Sequence, residues 1–149
     1  MYQVDQTTLR ERVTRLERAL CAVPQVDCPV RHYFAPGMYA REMTIPAGTV
    51  ITGAVHKRQN LAVLSAGRLL LATEDGAIEI RAPHTLTVRP GAKNAATALE
   101  DSVWTNFFAT DETDTDKLVE MLTESMANEL IGGAKNAQLC ATPTEMLEK

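Results

Sequence analysis

The residues of this chain best suited to chemistry lie in two short runs, His56-Lys57-Arg58-Gln59-Asn60 and Arg89-Pro90-Gly91-Ala92-Lys93-Asn94. In a strand, alternate side chains point to one face. An inward His56 therefore brings Arg58 and Asn60 with it, then Ala62 and Leu64, and leaves Lys57 and Gln59 outside. By the same rule Asn94, Ala96 and Ala98 form a second inward set. Arg81, Arg89 and Lys93 fall near the ends of neighbouring strands. A lumen holding a guanidinium, an imidazole and amides has hydrogen-bond donors in excess. It suits an anionic or polar ligand such as a carboxylate, a phosphate or a nucleotide. The small residues Ala62, Ala96 and Ala98 leave room, and Trp104 or Phe108, according to the register of their strand, would stack on a ring. The expected ligand-binding set is His56, Arg58, Asn60, Arg81, Lys93, Asn94 and Trp104. The competing reading pairs Arg58 with an internal acid such as Glu42 or Glu100 and fills the interior with the chain's own side chains.

Other chemistries lack their residues. There is no GxSxG elbow, no phosphate-cradling glycine loop and no pair of carboxylates on a helix, and Ser65 has no histidine at a predictable relation to it. The net charge of −4 gives no global electrostatic case for a nucleic-acid partner. The apolar runs fall far short of a bilayer span, so no membrane association is expected. The polar opening Met1-Tyr2-Gln3-Val4-Asp5 does not read as a signal peptide. Cys21, Cys28 and Cys140 are odd in number and lack a CxxC spacing, so reduced thiols in a cytoplasm are expected.

The 149 residues are enough for one domain with attachments. Thr8 and Glu11 can form a capping box, after which Leu9, Val13, Leu16 and Leu20 recur along one stripe of a helix that Pro24 ends. The stripe is too short for an independent coiled coil; it suits packing on the chain's own barrel or on the same helix of a second subunit. Residues 24–39, punctuated by Pro24, Pro29, Pro36 and Gly37, read as an extended arm able to add an edge strand, with His32 as a further candidate. From Tyr39 the period changes to two, placing Arg41, Met43 and Ile45 on one face. Strands are expected over residues 39–45, 50–52, 55–64, 67–73, 77–81, 84–88, 94–99 and 103–109, with a hairpin at Glu74-Asp75-Gly76. Spacing leaves open whether Val103, Thr105 and Phe107 or Trp104, Asn106 and Phe108 point inward. Many short strands at this spacing read as an antiparallel barrel. The acidic run Thr110 to Asp116 then opens a second helix carrying Val119, Leu122, Met126 and Leu130, which Gly132-Gly133 stops.

The small-residue turn Ile45-Pro46-Ala47-Gly48-Thr49, the His56-bearing strand, the hairpin marked by Gly67 and the Pro90-Gly91 turn resemble the two signature motifs of the cupin family. The resemblance implies a mainly β fold, a cupin-type antiparallel β-barrel (jelly roll) flanked by an N-terminal and a C-terminal α-helix. Residues 1–23 would be the amphipathic helix, 24–110 the barrel with its entry arm, and 111–149 the second helix and tail. A metal-binding cupin also places two histidines as HxH, a glutamate further along and a third histidine after the Pro-Gly turn. Here His56 takes the first position and Arg58, which cannot deprotonate to become a ligand, stands at the second. The glutamate position falls on Asn60, Ala62 or Val63, and the last on Asn94. No metal and no other cofactor is expected, His56 being the one surviving ligand.

The longer phrases Gln25 to Val30, Phe34-Ala35-Pro36-Gly37, Tyr39-Ala40-Arg41-Glu42, Leu99 to Thr105 and Thr110 to Asp114 resemble a group of small cupin-like proteins of tailed bacteriophages and prophages, over roughly residues 24–120. That implies a host-cytoplasmic protein. Three functions follow as expectations. The first is a non-catalytic cupin holding a small anionic molecule, such as a host nucleotide signal sequestered against antiviral defence. The second is a phage structural or assembly protein with a filled barrel, contacted through the Leu9/Val13/Leu16/Leu20 stripe. The third is a metal-dependent enzyme (dioxygenase, isomerase or epimerase) with His56, His32 or His84 as improvised ligands. Self-association as a homodimer or higher oligomer is expected on each, because both helices carry apolar stripes.

Overall fold

A computed structural model describes residues 7–126 and 140–143. It contains α1 (Leu9–Cys21), β1 (Val30–Ala35), β2 (Met38–Ile45), β3 (Thr49–Thr52), β4 (Asn60–Ala66), β5 (Arg68–Thr73), β6 (Gly76–Arg81), β7 (His84–Val88), β8 (Ala95–Ala98), β9 (Ser102–Ala109), α2 (Thr115–Leu122) and β10 (Cys140–Pro143). Strands β2 to β9 are shared between two antiparallel sheets, with successive strands changing sheet at every step except the β5–β6 hairpin. One has the order β1-β2-β9-β4-β7 and the other β10-β3-β8-β5-β6. Removing the added edge strands β1 and β10 leaves two four-stranded sheets in jelly-roll order. The fold is therefore a mainly β, cupin-type barrel with two helices.

The period-two patterns place the core between the sheets. Met43 and Ile45 from β2, Leu64 from β4, Leu69 and Leu71 from β5, Ile80 from β6 and Ala96 and Ala98 from β8 form one buried cluster. Each fully buried leucine or isoleucine contributes about 1.5–3 kcal/mol relative to exposure. The chain crosses from β4 to β5, and from one sheet to the other, at Gly67. Its φ is +85°, and an added Cβ would come within 2.3 Å of the Asp101 carbonyl oxygen. No L side chain meets both demands.

The arm adds β1 at the sheet edge, pairing His32 with Arg41 across β2. Helix α1 starts with its capping box, Glu11 N–H donating to Thr8 Oγ1 at 3.2 Å and Thr8 N–H to Glu11 Oε2 at 2.9 Å. Its Val13 and Leu20 are buried. Glu17, on the same helix, accepts from Lys93 Nζ at 2.8 Å and from Thr52 Oγ1 at 3.0 Å, so the helix packs on its own barrel.

Three expectations need correction. The strand expected from Val55 begins instead at Asn60. His56 is drawn away from that ladder: its N–H donates to the Ala92 carbonyl (3.1 Å), its carbonyl accepts from Gly91 N–H (2.7 Å), and it bridges to Thr123. The alternation that joined His56 to Arg58 is broken there, and Arg58 is exposed. The second helix ends at Leu122, because Thr123 is extended and pairs with His56; Leu130 and Gly132-Gly133 lie outside the described residues. Cys28 is a free, buried thiol, but Cys21 is disulfide-bonded, so three reduced cysteines is not the state of this chain. Among the described residues no helix is long and apolar enough to cross a membrane.

Candidate functional site in the barrel lumen

A cavity of about 110 Å³ lies between the two sheets and under α2. Strand β2 sends Tyr39, Arg41, Met43 and Ile45 into it, and β9 sends Trp104, Asn106 and Phe108, settling which set of that strand is inward. Strand pairing aligns these residues in rows. Met43 opposes Trp104, which opposes Leu64; Arg41 opposes Asn106, which opposes the small Ala62; Tyr39 opposes Phe108. From the facing sheet come Ile51, Thr52, Leu69, Leu71 and Ala96, with Asn94 just before β8. Leu118, Val119 and Leu122 of α2 cover the end. Asp114 caps that helix by accepting from the N–H groups of Asp116 and Lys117. Its far end is tied to the His56 loop, Lys57 N–H donating to the Leu122 carbonyl (2.9 Å) and Glu124 N–H to the Val55 carbonyl (3.0 Å).

Arg41 is the one charged side chain among the described residues that line the cavity, and no carboxylate is among them. Burial pushes its guanidinium pKa down to about 10, against smaller opposing influences from Tyr39 and Cys28, so it stays cationic at neutral pH. His56 is pushed down to about 4, first by burial and then by the charge of Arg41, and is neutral. Tyr39 is pushed up to about 12 by burial, and its hydroxyl lies 2.6 Å from His32 Nδ1. An aromatic series runs along this wall: Phe34 on Tyr39 (5.3 Å between ring centroids), Tyr39 on Phe108 (5.7 Å) and Phe108 on His56 (6.0 Å).

A directed hydrogen-bond chain crosses the same wall. Trp104 Nε1–H donates to Asn106 Oδ1 (2.8 Å) and Asn106 Nδ2 to Asn60 Oδ1 (2.9 Å). Asn60 Nδ2 faces both the Arg58 carbonyl (3.2 Å) and His56 Nδ1 (3.3 Å). Asn60 and Asn106 are both buried.

The structure brings His56, Asn94 and Trp104 to the cavity and holds Asn60 behind His56. It separates the other three expected residues from it. Arg58 is exposed in the bend before β4. Arg81 is 70% exposed and lies 3.8 Å from Glu79. Lys93 is buried, but it turns toward α1, bonding Glu17 and the Gly53 carbonyl (2.9 Å). Glu100, considered above as a partner for Arg58, lies 3.4 Å from Arg68. Arg41 and Asn106 were absent from the expected set. The signal for Arg41 was present, since its strand alternation placed it on the face of Met43 and Ile45.

The donor set does not fit the metal that this fold often carries. Among the described residues no three His, Cys, Asp or Glu side chains gather. His32 is bonded to Tyr39 and His84 is exposed, so neither joins His56. His56 Nδ1 faces an amide donor, with a guanidinium lining the same cavity.

These sheets and this lumen define a cupin-type barrel. Among solved structures the chain is similar to KdgF from Halomonas sp. (16% identity over 58% of this chain and 83% of that one, TM-score 0.49). It is also similar to an RmlC-like cupin from Shewanella frigidimarina (13% identity, 54% and 73%, TM-score 0.45). A third is an acetylacetone dioxygenase from Acinetobacter johnsonii (15% identity, 54% and 58%, TM-score 0.45). The likeness is one of architecture. Neither a family model nor a curated protein sequence matches the chain.

Proposed function

We propose that this protein is a binding cupin that holds a small organic anion, an apolar body ending in a carboxylate, without transforming it. The observation that carries the reading is Arg41, a guanidinium lining a cavity otherwise made of apolar side chains and neutral polar groups. A planar guanidinium matches a carboxylate in two parallel hydrogen bonds, and such bonds strengthen where water is excluded. Asn94 and Asn106 add amide donors at the same cavity. Met43, Leu69, Leu71 and Phe108 supply the apolar contact.

Size narrows the ligand. At 10–15 Å³ per water-sized group, about 110 Å³ takes roughly seven to eleven such groups. That suits a branched or aromatic monocarboxylate; a nucleotide needs roughly twice that number. The reading as a binder without chemistry is supported by burial, which pushes His56 down to about 4 and Tyr39 up to about 12, so neither is poised to exchange a proton at neutral pH. A phage or prophage origin belongs to the same proposal and rests on the phrases around Phe34 to Gly37 and Leu99 to Thr105.

Native mass spectrometry of the protein with isovalerate, benzoate and phenylacetate tests the reading. It predicts a single bound acid per chain for at least one of the three. A folded barrel that takes up none of them contradicts it.

A further inference from the structure

The polarity of the hydrogen-bond chain on the cavity wall follows from its two ends. The indole Nε1–H of Trp104 can only donate, so the atom of Asn106 it meets at 2.8 Å is the amide oxygen. The carbonyl of Arg58 can only accept, so the atom of Asn60 facing it at 3.2 Å is the amide nitrogen. With both ends set, the middle link runs from Asn106 Nδ2 to Asn60 Oδ1. The second N–H of Asn60 then points at His56 Nδ1, which must accept. A neutral imidazole that accepts at Nδ1 carries its proton on Nε2. Both amide oxygens of the chain are thus consumed within the protein, and His56 is left as a donor.

We propose that the Trp104–Asn106–Asn60–His56 chain is the specificity-determining element of the lumen, holding the polar groups of this wall as donors so that carboxylates are favoured over the matching primary amides. The inference rests on the reading of the lumen as an anion site, and adds which neutral isosteres it disfavours and why. A carboxylate offers only acceptors and, along this chain, meets only donors. A primary amide of the same shape brings an NH₂ group that finds no acceptor along this chain, so it must turn to the Asn94 amide or a threonine hydroxyl elsewhere on the lining or lose a hydrogen bond, and a buried donor without a partner is expensive.

Two measurements test this. Nitrogen-15 NMR of histidine-labelled apoprotein at neutral pH reads the tautomer of His56 without any ligand; the Nε2–H form is expected, and the Nδ1–H form overturns the proposal. Asn60→Asp, which turns an acceptor toward His56 Nδ1, should move the proton to Nδ1 or add a second one, and an unchanged tautomer overturns it equally. Calorimetric titration with benzoate and benzamide then reads selectivity: benzamide should bind at least about tenfold more weakly. Trp104→Phe keeps an aromatic ring but frees Asn106 Oδ1 to accept, so the ratio between the two ligands should shrink. Equal binding of acid and amide by the wild type refutes the selectivity while leaving a ligand site in place. Binding of neither refutes the anion site itself and the selectivity with it.

Discussion

Replacing Lys93 with Met keeps the length and apolar stem of the side chain and removes only its charge and donors. The Lys93 side chain is 5% exposed and that of Glu17 19%, and they meet at 2.8 Å. Lys93→Met therefore leaves Glu17 charged in a nearly dry site and removes the donor from the Gly53 carbonyl. Breaking a fully buried pair by removing one partner costs about 3–5 kcal/mol. Glu17 keeps some contact with water and the Thr52 hydroxyl at 3.0 Å, so the lower figure of about 2–3 kcal/mol is expected. For a chain of this size that lowers Tm by about 4–12 °C. Denaturant and thermal melts measure it. The double variant Glu17→Gln/Lys93→Met, in which no charge is stranded and Thr52 keeps an acceptor, should return to within about 1 kcal/mol of the wild type. Ligand affinity should be unchanged in both, because Lys93 faces α1. A Lys93→Met protein that melts with the wild type, or single effects that simply add in the double variant, refutes the reasoning.

Two further outcomes follow from the same geometry. The folded pKa of His56 lies near 4 and an unfolded histidine titrates near 6.5, so between those values the unfolded chain holds a proton that the barrel does not. Stability should fall as pH drops through that window, and His56→Gln should remove about 2 kcal/mol of the difference between pH 7 and pH 5 in denaturant melts. A variant whose pH dependence matches the wild type contradicts this. Gly67→Ala forces an L side chain to φ +85° and a Cβ to within 2.3 Å of the Asp101 carbonyl oxygen. It should cost at least about 2 kcal/mol, and a variant that melts with the wild type would show the crossing to be laxer than described.

Most of the fold is legible in the sequence because it is carried by local signals. The period-two runs marked the strands, Glu74-Asp75-Gly76 the hairpin, and Thr8 with Glu11 the helix start. The site is less legible, and for a physical reason. Strand alternation holds only while the chain stays in a ladder, and the bend at residues 56–59 breaks it. Extending it through His56 put Arg58 inward, where the structure places it in solvent. Lys93 illustrates a second limit: its partner Glu17 lies far along the chain, on a helix whose docking no local pattern reports. The strand alternation places Arg41 on the face of Met43 and Ile45, but that pattern alone does not mark the face as a ligand site, because only the closed barrel makes it the inside of a cavity. The parity of Trp104, Asn106 and Phe108 was open for a similar reason: both faces of β9 are half polar, and its pairing with β2 and β4 decides.

The central claim is that Arg41 holds a small carboxylate in the lumen. Trp104 is the chain's one tryptophan and lines that cavity, so its fluorescence reports occupancy directly. Titrating wild type and Arg41→Met with benzoate, with circular dichroism to confirm the folded barrel, is the most direct test. Losing a charge-assisted hydrogen bond costs about 1.5–3 kcal/mol, so the variant should bind about ten- to a hundredfold more weakly. A folded Arg41→Met barrel that binds benzoate as tightly as the wild type would contradict the account.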